Sequence, residues 1–132
     1  MTPIRNWTGL AALVLRILIT VVFVVAAGLK FGAAPFEVAG FARFGYPAWF
    51  MYVVGAAQLY GAVLLWVRGG TAFGALLLMA IMAGAVASHL GAGDPVALML
   101  PALVLLTLLA GLAYGHRDDV TLSLRRIAAL RA

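Results

Sequence analysis

The chain has 132 residues, 66% of them hydrophobic and 10% charged, with a net charge of +5 and a mean hydropathy of +1.13. A soluble domain is about half apolar and a quarter charged, so this is the composition of a small, single-domain integral membrane protein. The lack of cysteine excludes disulfides, thiolate metal sites, iron–sulfur clusters and a dithiol redox relay, and five of the nine basic residues lie in the tails, a distribution that fits membrane topology and anionic lipid rather than nucleic acid.

Arg5 and Trp7 in the N-terminal tail read as a basic anchor and an interfacial aromatic. The first apolar segment, residues 9–31, is long enough to cross about 30 Å of hydrocarbon. Arg5 and Val25-x-Ala27 loosely fit a cleaved leader, but an arginine in the apolar core and the length of the segment favour a retained span over residues 9–29. That arginine, Arg16, lies seven residues in, about 10 Å deep at 1.5 Å per residue. Its cost of roughly 2.5–3.5 kcal/mol near a helix centre demands a partner or a route to water. It either snorkels to the phosphates or belongs to a polar site. Arg16, Thr20, Phe23, Ala27 and Lys30 recur at steps of three and four, so they share one face, which should look into the protein.

The connection over residues 30–47 is long and aromatic-rich. Phe36, Gly40, Phe41 and Phe44 fall near one side of a short helix, with Glu37 and Arg43 elsewhere. It reads either as a helix lying on the membrane surface or as a loop covering the bundle end. Pro47 opens a second span, residues 48–67, with Trp49 and Tyr52 near one boundary and Trp66 near the other. Arg68-Gly69-Gly70 is a tight turn into a third span, residues 71–90. Asp94-Pro95 resembles an N-cap followed by a proline at the first helical position of a fourth span, residues 95–114, with Pro101 inside it. Residues 118–132 fit either an interfacial helix capped by Asp118 or Asp119 or a solvated basic tail. In the helix, Val120, Leu124 and Ile127 would meet the membrane and Arg125, Arg126 and Arg131 the phosphates.

The expected fold is therefore an all-α four-transmembrane-helix bundle with an interfacial segment between the first two spans. Arg5, Arg68, Arg117, Arg125, Arg126 and Arg131 lie on the terminal side against Lys30 and Arg43 opposite, which places both termini in the cytoplasm. Short connections make spans two to four antiparallel neighbours. Ala80, Gly84 and Ser88 form a small-residue ridge for helix contact, and Gly55, Gly61 and Ala62 thin the second span.

Few polar side chains lie within the spans. Gln58 is ten residues into its helix, about 15 Å from the end and near the midplane. It reads as a cross-helix hydrogen bond or as a ligand contact. His89 should stand level with Lys30, and with Asp94 these two would form a cation-lined mouth suited to an anion or a carbonyl-bearing amphiphile. Bis-histidine haem is excluded because His89 and His116 belong to opposite ends. No carboxylate lies inside a span to relay protons, and no phosphate loop, HExxH or GxSxG motif is present.

These residues together resemble the DoxX-like membrane proteins, small four-helix proteins of bacteria. The resemblance rests on the arginine early in span one with Gly28-Leu29-Lys30 near its end, and on Gly45-Tyr46-Pro47 before span two. It continues in Gly55, Gln58-Leu59-x-Gly61-Ala62, Ala85 and His89, and Pro101, and leaves out the basic tail. The family is linked by name to the membrane part of a thiosulfate:quinone oxidoreductase, and other members are described as partners of redox or sulfur-handling proteins. The resemblance thus implies a bacterial cytoplasmic-membrane protein associated with a quinone-linked system. The family usually has a glutamate where this chain has Gln58, which keeps the hydrogen bonding and loses the titratable charge.

The resulting expectation is a non-catalytic accessory subunit or anchor that binds a lipophilic ligand, with a quinone as the ligand implied by resemblance. Arg16, Lys30, Gln58 and His89 are its candidate ligand-binding residues, and a redox protein and further copies of the chain are its candidate partners. A small-solute permease working as an oligomer would need a continuous polar path, for which spans two and four supply only Gln58 and Thr107. An intramembrane enzyme acting on an apolar substrate is the third reading, and no motif supports it.

Overall fold

A computed structural model describes residues 3–132, with side chains from Thr8 onward. The anchor expected of Arg5 and Trp7 lies outside the described side chains. Six helices follow one another: α1 (Pro3–Phe31), α2 (Pro35–Arg43), α3 (Ala48–Leu64), α4 (Thr71–Gly91), α5 (Val96–Gly115) and α6 (Arg117–Arg131). No strand occurs among the described residues, as an all-α membrane bundle requires: within hydrocarbon a helix satisfies its own backbone polar groups.

α1, α4 and α5 are each long and apolar enough to cross a bilayer. α3 has 17 residues, about 25 Å at 1.5 Å per residue, and joins α2 through a bend of 114° to make a fourth, broken span or a re-entrant segment. The bend has local causes: Gly45 takes a left-handed φ of +84°, and Pro47 occupies the position before the first turn of α3. The connection is thus a helix rather than a loop. The second span also ends earlier than residue 67, because residues 65–70 form a turn that begins well before Arg68-Gly69-Gly70. Gly69 has φ +78°, and the buried Thr71 hydroxyl donates to the Leu65 carbonyl at 3.0 Å.

Helices adjacent in the order α1, α3, α4, α5 pack on one another, while α5 touches α1 only lightly, so the ring of four is incompletely closed. One apolar core joins them: Ile19 and Phe23 from α1, Ala62 and Leu65 from the α3 end, Leu78 from α4 and Leu109 from α5. The face predicted for α1 is the inward one. Phe23, Ala27 and Lys30 are buried and Arg16 and Thr20 half-buried, while Val21, Val22, Val24 and Val25 on the other faces are exposed. Such an exposed apolar belt suits lipid and not water.

The closest helix approach is not where the small-residue ridge was expected. A Cβ on Gly74 would lie 2.6 Å from the Gly61 carbonyl oxygen, and one on Gly61 would lie 2.8 Å from the Leu78 side chain. The α3–α4 crossing is therefore built on glycine. Gly55 performs the same service for α1, since its Cβ would meet the Lys30 Cβ at 3.2 Å. By contrast Gly84 has nothing within 4 Å, and Ala80 is exposed. Ala80 and Gly84 are open and Ser88 is half-buried, because the close α3–α4 approach at Gly61 and Gly74 lies toward the other end of α4.

Two expected caps are also replaced. Pro95, and not Asp94, occupies the N-cap of α5, and no side chain caps it. α6 starts at Arg117 with His116 as its N-cap, so Asp118 and Asp119 stand in its first turn, where their charge favours the positive end of the helix dipole without a capping bond. The C-terminal segment is thus helical, with Leu124, Ile127 and the three arginines exposed.

Candidate functional site

At the end of the bundle away from the termini, α1, α2, α3 and α4 enclose a cavity of about 450 Å³, a size suited to a small organic ligand. Three of the four candidate residues, Lys30, Gln58 and His89, line it. Its walls are otherwise mostly apolar or aromatic, with Phe41, Phe44, Tyr46 and Phe50 at the α2–α3 corner and Ile81 and Met82 from α4. Ala80 and Gly84 line it too and are exposed, so the cavity is open along this part of α4.

Lys30, 6% exposed, extends to Glu37 with its Nζ 3.1 Å from Oε1. Helix α2 brings this carboxylate back over the end of α1, seven residues later. No acidic residue lies in α1, α3, α4 or α5, yet Glu37 of α2 thereby enters the cavity. The second cation at this end is matched as well. Arg43 grips Asp94 with both guanidinium nitrogens, at 2.5 and 2.8 Å, a two-point geometry that guanidinium and carboxylate share. The expected cation-lined mouth is therefore corrected. Lys30–Glu37 and Arg43–Asp94 are two balanced pairs, and the site discriminates by hydrogen bonding more than by net charge.

Asp94 also orders His89. The ring Nδ1 lies 2.7 Å from Asp94 Oδ2, and because a carboxylate only accepts, Nδ1 is the donor. Phe44 packs edge-on against the ring at 5.1 Å, and Arg43 lies 4.8 Å over Phe44. Tyr46 closes the corner. Ser88 donates to the Gly84 carbonyl at 2.8 Å, leaving its oxygen to accept from the Tyr46 hydroxyl at 2.7 Å. These links hold α2 and the α2–α3 corner as a latch across α4.

The Asp94 carboxyl is held well below the usual carboxylate range, first by the Arg43 guanidinium and then by His89. A folded value depressed in this way contributes stability that is complete above the ordinary aspartate value, near ~3.9, and is lost only as pH falls through the lower folded value. The latch is thus expected to hold from neutrality down to about pH 5 and to release only in stronger acid. An environment-sensitive fluorophore on Ala39→Cys, in a chain that has no other cysteine, reads this directly. Asp94→Asn should give the released signal already at neutral pH.

Gln58 is 3% exposed, and its Oε1 is buried without a hydrogen-bond partner. The cross-helix bond considered for it does not use that oxygen. A buried unpaired carbonyl costs about 1–3 kcal/mol, so its presence calls for an explanation. Gly61 packs on Leu78 where α3 and α4 cross, so Gln58, three residues earlier, comes near the level of Ile81, eight residues before His89 and about 12 Å deeper along the bundle.

Arg16 is not part of this cavity. It lies toward the opposite end, its Nη2 3.2 Å from His116 Nε2 and its guanidinium 5.2 Å over Trp66. His116 Nδ1 is 3.1 Å from the Leu112 carbonyl. It must donate there, which leaves Nε2 of the neutral ring to accept from Arg16. Trp66 Nε1 donates to Thr20 Oγ1 at 2.8 Å and Thr20 to the Arg16 carbonyl at 2.7 Å. Arg16 thus has protein partners that tie α1 to the α5–α6 junction, although its Nε is buried without one. Thr107, the other polar residue considered for a solute path, is exposed and bonded back to the Leu103 carbonyl at 2.9 Å.

Glu37, Tyr46 and Ser88 also line the cavity and Arg43 braces it through Asp94, although none of the four was among the candidate ligand-binding residues. The legible signal was charge pairing: Lys30 and Arg43 face two of the four acidic residues, Glu37 and Asp94.

Apolar helices joined by short turns around a ligand-sized cavity define a multi-pass membrane protein. The family model for the DoxX-like family matches residues 14–111, and the chain belongs to that family. It is also similar to the uncharacterized protein YdgD of Bacillus subtilis (strain 168), with 32% identity over 74 residues, 52% of this chain and 65% of that protein. No solved structure matches the chain.

Proposed function

We propose that this protein is a non-catalytic membrane subunit that binds an uncharged amphiphile in the cavity between α1, α2, α3 and α4. The observation that carries the reading is Gln58, a buried amide oxygen without a partner, on an apolar wall near the middle of a span. Charge balance at Lys30–Glu37 and Arg43–Asp94 supports a neutral head group. The exposed border at Ala80 and Gly84 supports a ligand that arrives from the lipid.

A quinone, suggested by the family's name, fits the donor set in part. The Gln58 amide and the Lys30 ammonium supply hydrogen bonds to carbonyl oxygens, and the aromatic corner packs on a ring. Such a molecule would supply redox chemistry when bound, while the chain's residues bind and orient it. We place the protein in a bacterial cytoplasmic membrane with both termini inside, on the excess of arginine at the terminal end. There it serves a redox partner protein, either alone or with further copies of itself.

Mass spectrometry of the lipophilic molecules and proteins that co-purify in a mild native membrane extract tests this. Wild type should retain an apolar molecule that a Gln58→Ala, His89→Ala double variant loses, and Gln58→Leu serves if the double variant does not fold. A protein partner in place of the molecule would favour anchoring over binding. Retention of neither would contradict the proposal.

A further inference from the structure

We infer that the ligand carries a weakly acidic hydroxyl, of phenol or enol type, and that His89 Nε2 accepts its proton. The inference rests on the cavity being the binding site, as proposed above, and assigns the chemistry that the cavity recognises.

Two acceptors in the cavity lack hydrogen-bond partners. Gln58 Oε1 is buried and unpaired. The neutral His89 ring carries its proton on Nδ1, because Asp94 can only accept there. Its Nε2 therefore presents a lone pair and makes no hydrogen bond among the described residues. A ligand offering only carbonyl oxygens leaves both acceptors unsatisfied, whereas a hydroxyl satisfies one of them.

The surroundings of His89 favour transfer of the proton over simple sharing of it. Asp94 stands behind the ring as a carboxylate and stabilises the imidazolium that forms. Arg43, bound at both Asp94 oxygens, keeps the proton from moving on to the carboxylate. The other titratable or charged groups around the cavity are Lys30, paired with Glu37, and Tyr46, whose hydroxyl is committed to Ser88. The step balances: the ligand O–H bond breaks, an Nε2–H bond forms, and the oxyanion left behind lies in the cavity that the Lys30 ammonium lines. Nothing is oxidised or reduced. His89 thus acts as an acceptor poised by Asp94, the division of labour by which a carboxylate sets the tautomer of a histidine base.

The experiment uses the full chain in lipid nanodiscs with a dodecyl-substituted nitrophenol, whose phenolate is coloured. Equilibrium partition measures binding and absorbance measures ionisation, so the two are read separately. At a pH near the probe's own midpoint, protein-containing discs should show a phenolate-to-phenol ratio about tenfold above empty discs, which corresponds to one pKa unit. His89→Gln should return that ratio to the level of empty discs with binding retained, Asp94→Asn should lower it, and Thr107→Ala, away from the cavity, should leave it unchanged. If His89→Gln does not fold, Asp94→Asn alone decides. Binding without added ionisation in wild type overturns this inference and leaves the cavity reading standing. Ionisation that persists in the variants overturns it in favour of Lys30. No binding above empty discs overturns both.

Discussion

Gly74→Ala should destabilise the bundle by about 1–3 kcal/mol, the usual cost of forcing a methyl group into a closely packed contact. The new Cβ would stand 2.6 Å from the Gly61 carbonyl oxygen, 2.9 Å from the Leu64 Cβ and 3.0 Å from the Leu65 amide nitrogen. Two of the three obstacles are backbone, so no rotamer change relieves them and α3 and α4 must separate. The buried Leu65 and Leu78 side chains beside the crossing would lose contacts as they do. Gly84→Ala on the same helix meets nothing within 4 Å and should fall within about 0.5 kcal/mol of wild type, as an open surface position does. Thermal unfolding in detergent, followed by loss of the monodisperse peak, compares the two. Equal effects would show that the α3–α4 contact lies elsewhere on the helix.

Gln58→Leu should separate stability from binding. Leucine fills a similar volume and carries no carbonyl to leave unpaired, so the bundle should be as stable as wild type or more so, by up to about 2 kcal/mol. Retention of the bound amphiphile should fall at least about tenfold, the equivalent of 1.4 kcal/mol, because one hydrogen-bonding station in an apolar wall is gone. A structural glutamine behaves in the opposite way. Its loss would lower stability and leave binding untouched, and that pattern would remove Gln58 from the site.

The architecture could be read from residue order because the membrane makes the signals large. A span needs about 20 apolar residues, and here the spans are separated by Gly69-Gly70 and by Gly93-Asp94-Pro95. The inward face of α1 followed from helical periodicity alone, and Phe23, Ala27 and Lys30 are indeed buried. Half the site was visible for a similar reason: Lys30, Gln58 and His89 are conspicuous as polar residues in apolar segments. Their partners were not. Glu37 and Arg43 reach the cavity end only because the chain folds back through 114° at Gly45 and Pro47, an angle that no local propensity specifies.

Asp94 shows a local rule yielding to a tertiary one. Its position before Pro95 fits an N-cap, but an arginine 51 residues away offers two charge-assisted bonds, and the carboxylate goes there. The partnership of Arg16 with His116 was likewise hidden. Each residue could be placed at the terminal end of the bundle, whereas the meeting of α1 with the α5–α6 junction depends on how the ring of helices closes.

Native mass spectrometry of the intact protein released directly from its membrane tests the central claim, that one cavity in each chain holds an uncharged amphiphile. The cavity account predicts a discrete adduct of one molecule per chain, strongly reduced by Gln58→Leu and unchanged by Thr107→Ala. A chain that emerges without an adduct, or an adduct that Gln58→Leu leaves at full occupancy, would contradict it.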